Sequence, residues 1–148
     1  MNKIFEKLTN QLTETIDSSV ALALHNKNQE VEVIHLLWAL LSNTNSVLNQ
    51  LLNKMNVNKV AVELEAKSYA SKLPSVSSVT KESIKLSRNL LSSLQSAEGL
   101  MASFGDKFIA VDTWLISNLD SSVIKDVLGK YVDLKEAKKE LEAMRAGK

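Results

Sequence analysis

The 148 residues contain no cysteine, a single proline and four glycines, and only 5% are aromatic. Without cysteine there is neither a disulfide framework nor a thiolate metal site, which suits a reducing compartment. So little proline and glycine leaves few of the turn signals that a many-stranded β fold needs. Charge of one sign is lacking too, since 18 basic side chains face 17 acidic ones. No large field draws the chain onto nucleic acid or an anionic membrane, and neither is expected as a partner. The longest purely apolar run, residues 36–41, is far short of the roughly 20 residues that cross a bilayer. The opening Met1-Asn2-Lys3-Ile4-Phe5-Glu6 lacks the apolar centre of a signal peptide, so a cytoplasmic protein is expected.

What the chain does have is apolar residues, 45% of the total, recurring at helical spacing. Ile4, Leu8, Leu12, Ile16, Val20 and Leu24 step by four, drawing an apolar stripe along a helix of about six turns. After a polar break at Asn26-Lys27-Asn28, residues 33–41 are apolar all round, as in a short helix buried on every side. Ser46 is placed to cap a third helix carrying Val47, Leu48, Leu51, Leu52 and Met55. Asn58 is placed to cap a fourth, running to Leu73, where Pro74 stops it. The small polar connector 74–79 then separates a first repeat, 1–73, from a second, 80–148.

The second half repeats the order: a long helix over about 81–104, an apolar segment 108–119, and a helix capped near Ser121 with Val123, Ile124, Val127 and Leu128. A final helix opens at Asp133, with Glu136 placed to complete a capping box. At an offset of roughly 76 to 78 residues Leu8, Leu12 and Ile16 overlay Leu86, Leu90 and Leu94, while Val31 meets Ile109 and Leu37 meets Leu115. The expectation is an all-α domain of 1–148, built as two pseudo-twofold-related four-helix repeats with a groove between them.

Motifs for chemistry are missing. His25 and His35 do not form a His-Glu-x-x-His pattern, so no metal site is expected. Each histidine is better placed for a local hydrogen bond at a helix end. Gly99, Gly105, Gly129 and Gly147 are scattered, and no Gly-Lys-Ser/Thr follows any of them, so neither ATP nor another nucleotide cofactor is expected on this chain. No Gly-x-Ser-x-Gly turn offers a nucleophile, and no catalytic residues are assigned. Asp106 follows Gly105 in a helix-ending turn and Asp112 falls in a first helical turn, where it complements the helix dipole. Both positions are also compatible with holding a partner's amides or cations. Trp38 and Trp114, inside the two apolar segments, are expected in the core.

Residues 29–41 read Gln-Glu-Val-Glu-Val-Ile-His-Leu-Leu-Trp-Ala-Leu-Leu. They resemble the first repeat of Clp N-terminal domains, close to Glu-x-x-His-Leu-Leu-x-Ala-Leu-Leu. Phe104-Gly105-Asp106-Lys107-Phe108-Ile109 is similar to the matching stretch of the second repeat, and Lys72-Leu73-Pro74-x-Val76 to the connector of the ClpB branch. The resemblance covers essentially the whole chain. It implies the substrate-binding domain of a much longer heat-shock chaperone that ends here at the start of a flexible linker and continues into two ATPase modules, where ATP would bind. It implies unfolded or aggregated proteins as partners, and a homohexamer working with a DnaK-type chaperone, the isolated domain being a monomer. The alternative is a domain of a ClpA-like or ClpC-like branch that docks an adaptor protein.

By position the resemblance implicates Thr9, Asp106 and Asp112 in substrate engagement, Asp112 standing where the family more often has glutamate. It maps part of an apolar peptide groove onto Leu90, Leu91 and Leu94, for which core packing is the competing assignment. Val33 departs from the family's usual proline. Ser93 and Ser96 stand where relatives are often apolar, which implies a more polar groove.

Overall fold

The computed structural model describes residues 3–147. Among them a short 3₁₀ turn, Lys3–Lys7, leads into α1 (Asn10–His25), β1 (Glu30–Val31), α2 (Val33–Ser42), α3 (Val47–Lys54) and α4 (Lys59–Ser71). The second half follows with β2 (Lys85–Leu86), α5 (Arg88–Phe104), α6 (Val111–Asn118), α7 (Ser122–Val127) and α8 (Leu134–Ala146). The class and the double four-helix repeat are as expected from the sequence.

Caps explain most boundaries. Ser46 Oγ accepts the Asn49 N–H at 3.1 Å, Asn58 Oδ1 accepts from Val60 and Ala61, and Asp133 Oδ1 accepts from Lys135 and Glu136. The Glu136 carboxylate lies 3.5 Å from Lys139 Nζ.

Two long helices differ from the apolar stripes. Instead of one helix from Ile4 to Leu24, α1 starts only at Asn10, because Thr9 turns the backbone extended (ψ 160°) and its N–H goes to Ile109 O at 3.0 Å. Likewise α5 starts at Arg88 rather than near 81, because Ser87 caps it and Lys85–Leu86 pair in parallel with Glu30–Val31. A step of four also advances about 40° per repeat on a helix of 3.6 residues per turn. The buried line on α1 therefore drifts to Leu12, Ile16, Ser19 and Ala23, leaving Val20 and Leu24 half-buried.

The two repeats share a single core. Every residue of α2 from Val33 to Leu41 is buried, Trp114 on α6 is fully buried, and Trp38 is 9% exposed. Helix α1 packs on α2 as α5 packs on α6, and α2 also touches α5 and α7 across the halves. Val33 occupies the first helical position of α2 and leaves the helix start intact.

The polar break at 26–28 holds the inter-repeat connector. Glu32 N–H donates to His35 Nδ1 at 2.8 Å, so Nε2 carries the ring proton and donates to Asn28 Oδ1 at 2.9 Å. Asn28 Nδ2 donates to Pro74 O at 3.0 Å, and Val76 N–H donates to Lys27 O at 2.7 Å. His35 is fully buried, and burial lowers its pKa from 6.5 to about 4.

Candidate functional site

Thr9 lies at the seam between the repeats. Its Oγ1 accepts the Leu12 N–H at 3.2 Å, the hydrogen bond that begins α1. Its backbone joins the second repeat, because Thr9 N–H donates to Ile109 O at 3.0 Å and Ile109 N–H to Lys7 O at 2.6 Å. Close by, Lys7 pairs with Glu98 of α5.

The partner segment runs from the end of α5 to the start of α6, with the two candidate aspartates near its ends. Gly105 ends α5 in the left-handed region (φ 75°), a conformation that costs a residue with a Cβ. That turn sends Asp106 toward α8, where its Oδ2 lies 2.7 Å from Arg145 Nη2. The same guanidinium sits over the Phe104 ring, 4.0 Å from the centroid.

Asp112 is in the first turn of α6 and only 4% exposed. Its Oδ1 accepts the Thr113 N–H at 2.8 Å. The carboxylate lines a cleft of about 550 Å³, together with Gln11 of α1, Asn45, Gln50 and Lys54 around α3, and Met144 of α8. Gln11 and Asn45 also line a smaller pocket along α1, past Glu14, Thr15 and Ser18. The walls of the Asp112 cleft are mixed, the amides and charges of Gln11, Asn45, Gln50, Lys54 and Asp112 standing beside the apolar Val47, Ala143 and Met144.

Asp106 and Asp112 accordingly lie on opposite flanks of the last turn of α8. Asp112 shares its cleft with Ala143, Met144 and Gly147, while Asp106 shares a cavity with Glu142, Arg145 and Ala146. Thr9 is bonded to the segment between them.

The leucines belong elsewhere. Leu90 and Leu94 are 0% exposed and form part of the common core, so their assignment to a peptide groove is corrected to core packing. Their turn of α5 faces α6, and at helical spacing a core face and a groove face look alike in sequence. Only Leu91 is half-buried. Ser93 is corrected in the same way. It is 6% exposed, and its Oγ accepts the Trp114 Nε1–H at 2.9 Å while donating to Leu90 O at 2.6 Å. Its hydroxyl satisfies a core indole, whereas Ser96 is exposed. Polarity in the cleft comes from Gln11, Asn45 and Gln50.

Sequence reasoning did not find Arg145 and Phe104 as partners of Asp106. The stretch Phe104-Gly105-Asp106 contained a signal, an acid beside an aromatic across a helix-ending glycine, but nothing local points to a cation on the last helix.

Among the described residues no group of three or more His, Cys, Asp or Glu could hold a metal ion, and no helix is long and apolar enough to cross a membrane. What the fold and cleft define is a double-repeat helical domain with a surface cleft of mixed polar and apolar lining at the seam of its halves. The chain belongs to the Clp repeat (R) N-terminal domain family, whose sequence profile matches residues 7–131. It is 55% identical over 143 residues to chaperone protein ClpB of Wolinella succinogenes and 51% identical over 142 residues to that of Helicobacter hepaticus. These alignments cover 97% and 96% of this chain but 17% and 16% of the relatives, so the chain spans about one sixth of their length. In structure it is similar to the Hsp104 N-terminal domain from Candida albicans, with TM-score 0.85 and 20% identity, covering 96% of this chain and 93% of that one. The N-domain of ClpV from Vibrio cholerae follows with TM-score 0.75 and 19% identity, covering 93% and 84%.

Proposed function

We propose that this chain is the substrate-binding module of a ClpB-type disaggregase, catching unfolded or aggregated polypeptide for ATPase modules that lie outside it. The observation that carries this is the cleft at Asp112, where the side-chain amides of Gln11, Asn45 and Gln50 can hydrogen-bond the backbone of an extended client while Val47 and Met144 offer it apolar contact. Thr9, Asp106 and Asp112 orient the client, with Leu91 as the accessible apolar contact of α5. Affinity is weak, because a small cleft leaves little surplus after the cost of ordering a chain, and weakness suits a module that hands its client on. In the full-length protein the domain would sit on a homohexameric ATPase in the cytoplasm, cooperating with a DnaK-type chaperone.

A second reading is docking of one dedicated peptide or adaptor. Its support is the solved complex of a ClpV N-domain with a VipB peptide, a structure whose N-domain has TM-score 0.70 to this chain. A ¹⁵N NMR titration with an unfolded, non-aggregating protein tests both. Shifts around Thr9, Asp106 and Asp112 with several unrelated clients are expected. Silence with all clients, but shifts with a single adaptor, favours the second reading.

A further inference from the structure

The carboxylate of Asp106 already holds a cation supplied by the chain itself. Arg145 is paired with it at 2.7 Å and stacked on Phe104 at 4.0 Å. An acid beside an aromatic face is a combination that selects a guanidinium, which is planar, delocalised and weakly hydrated enough to stack while it pairs. A second acidic residue, Glu142, lines the cavity around the pair, which adds to its attraction for a cation.

The pair is within reach of solvent, its side chains being 25% and 32% exposed, so a competing cation can approach it. Arg145 lies past Leu141, the last fully buried side chain of α8, so freeing the final turn uncovers only the half-buried Met144 at the edge of the core. The other flank of that turn, at Ala143, Met144 and Gly147, forms a wall of the Asp112 cleft.

We infer that Phe104 and Asp106 form a subsite for an arginine side chain of the bound polypeptide, and that Arg145 occupies it in the free domain until a client arginine displaces it. The inference builds on the proposed role of this seam in client binding. It adds a selection rule, since arginine-bearing segments are preferred over segments of equal apolarity. It also adds a coupling: displacement frees the last turn of α8 and widens the Asp112 cleft, so the two are filled together.

The test is fluorescence anisotropy on the 148-residue chain, using an unfolded peptide rich in arginine and the same peptide with each arginine replaced by citrulline, close in shape but uncharged. Wild type should prefer the arginine peptide. Arg145→Gln should tighten that peptide by roughly five-fold and the citrulline peptide by less, because the freed turn opens the Asp112 cleft to both while only arginine gains the vacated subsite. Asp106→Asn should abolish the preference. ¹⁵N spectra should show the amides of 143–147 moving when wild type binds the arginine peptide, and should verify that both variants remain folded. Equal binding of the two peptides by wild type and Arg145→Gln, with shifts still centred on Thr9 and Asp112, would overturn the subsite while leaving client binding intact. A folded protein that binds neither peptide nor any unfolded client overturns both.

Discussion

Thr9 and Ser87 occupy the same place in the two repeats and make the same pair of bonds. Each caps its long helix, Thr9 Oγ1 accepting from Leu12 N–H and Ser87 Oγ from Leu90 N–H. Each also donates its own N–H across the seam, Thr9 to Ile109 O at 3.0 Å and Ser87 to Val31 O at 2.9 Å. The pairings Leu8 with Ile109 and Val31 with Leu86 are exchanged by the same internal twofold. Each half thus satisfies backbone groups that the other would leave bare, which is why two small repeats form one domain.

Thr9→Ala and Ser87→Ala should therefore cost similar stability, about 1 kcal/mol each, the usual worth of an N-cap. Urea unfolding measures this. Only Thr9→Ala should also weaken client binding, since Thr9 alone of the pair lies beside the aspartate segment. Equal loss of binding in both variants would reduce Thr9 to a structural cap.

Stability should fall as the pH is lowered below 6.5. His35 has a folded pKa of about 4 against 6.5 for an ordinary histidine, so the unfolded chain takes up a proton before the folded one does. The stabilisation is complete above 6.5 and is lost progressively down to about 4, amounting to roughly 3 kcal/mol. Urea midpoints of wild type and His35→Gln across this window should converge toward low pH. Parallel curves would show that His35 does not carry the dependence.

Ser93→Ala should destabilise by about 1–3 kcal/mol, because it leaves the buried Trp114 N–H without its acceptor. Trp114→Phe removes the donor as well. In a double-mutant cycle followed by thermal melting, Ser93→Ala should cost far less in the Trp114→Phe background, and additive costs would contradict the coupling.

Gly105→Ala isolates backbone strain, since a Cβ there meets nothing within 4 Å while φ is +75°. A cost of about 1–2 kcal/mol is expected from the left-handed conformation alone. Because the turn aims Asp106 at Arg145, chemical shifts at the end of α8 should move as well.

How much was legible in the sequence differs between elements. Ser46, Asn58 and Asp133 announced helix starts because a cap bonds to backbone only two or three residues away. The repeat offset was legible because Val31, Ile109, Leu37 and Leu115 keep matching apolar positions. The starts of α1 and α5 were not, since what stops each helix short is the opposite repeat, which takes the Thr9 and Ser87 N–H groups. For the candidate site, the resemblance pointed to Thr9, Asp106 and Asp112, while in the sequence Leu90 and Leu94 could not be told from core.

The sequence by itself determined what depends on near neighbours: helical class, caps, the glycine turn before Asp106 and the duplication. Tertiary packing decided the rest. Within the second repeat it buried Ser93 under Trp114 and brought Arg145 of the last helix onto Asp106 and Phe104, while docking of the halves set Asp112 in its cleft. Periodicity says that a helix has an apolar face. Which partner that face meets, and which charges come together beside it, depends on packing between residues far apart in the chain, and that is settled only when the helices close on one core.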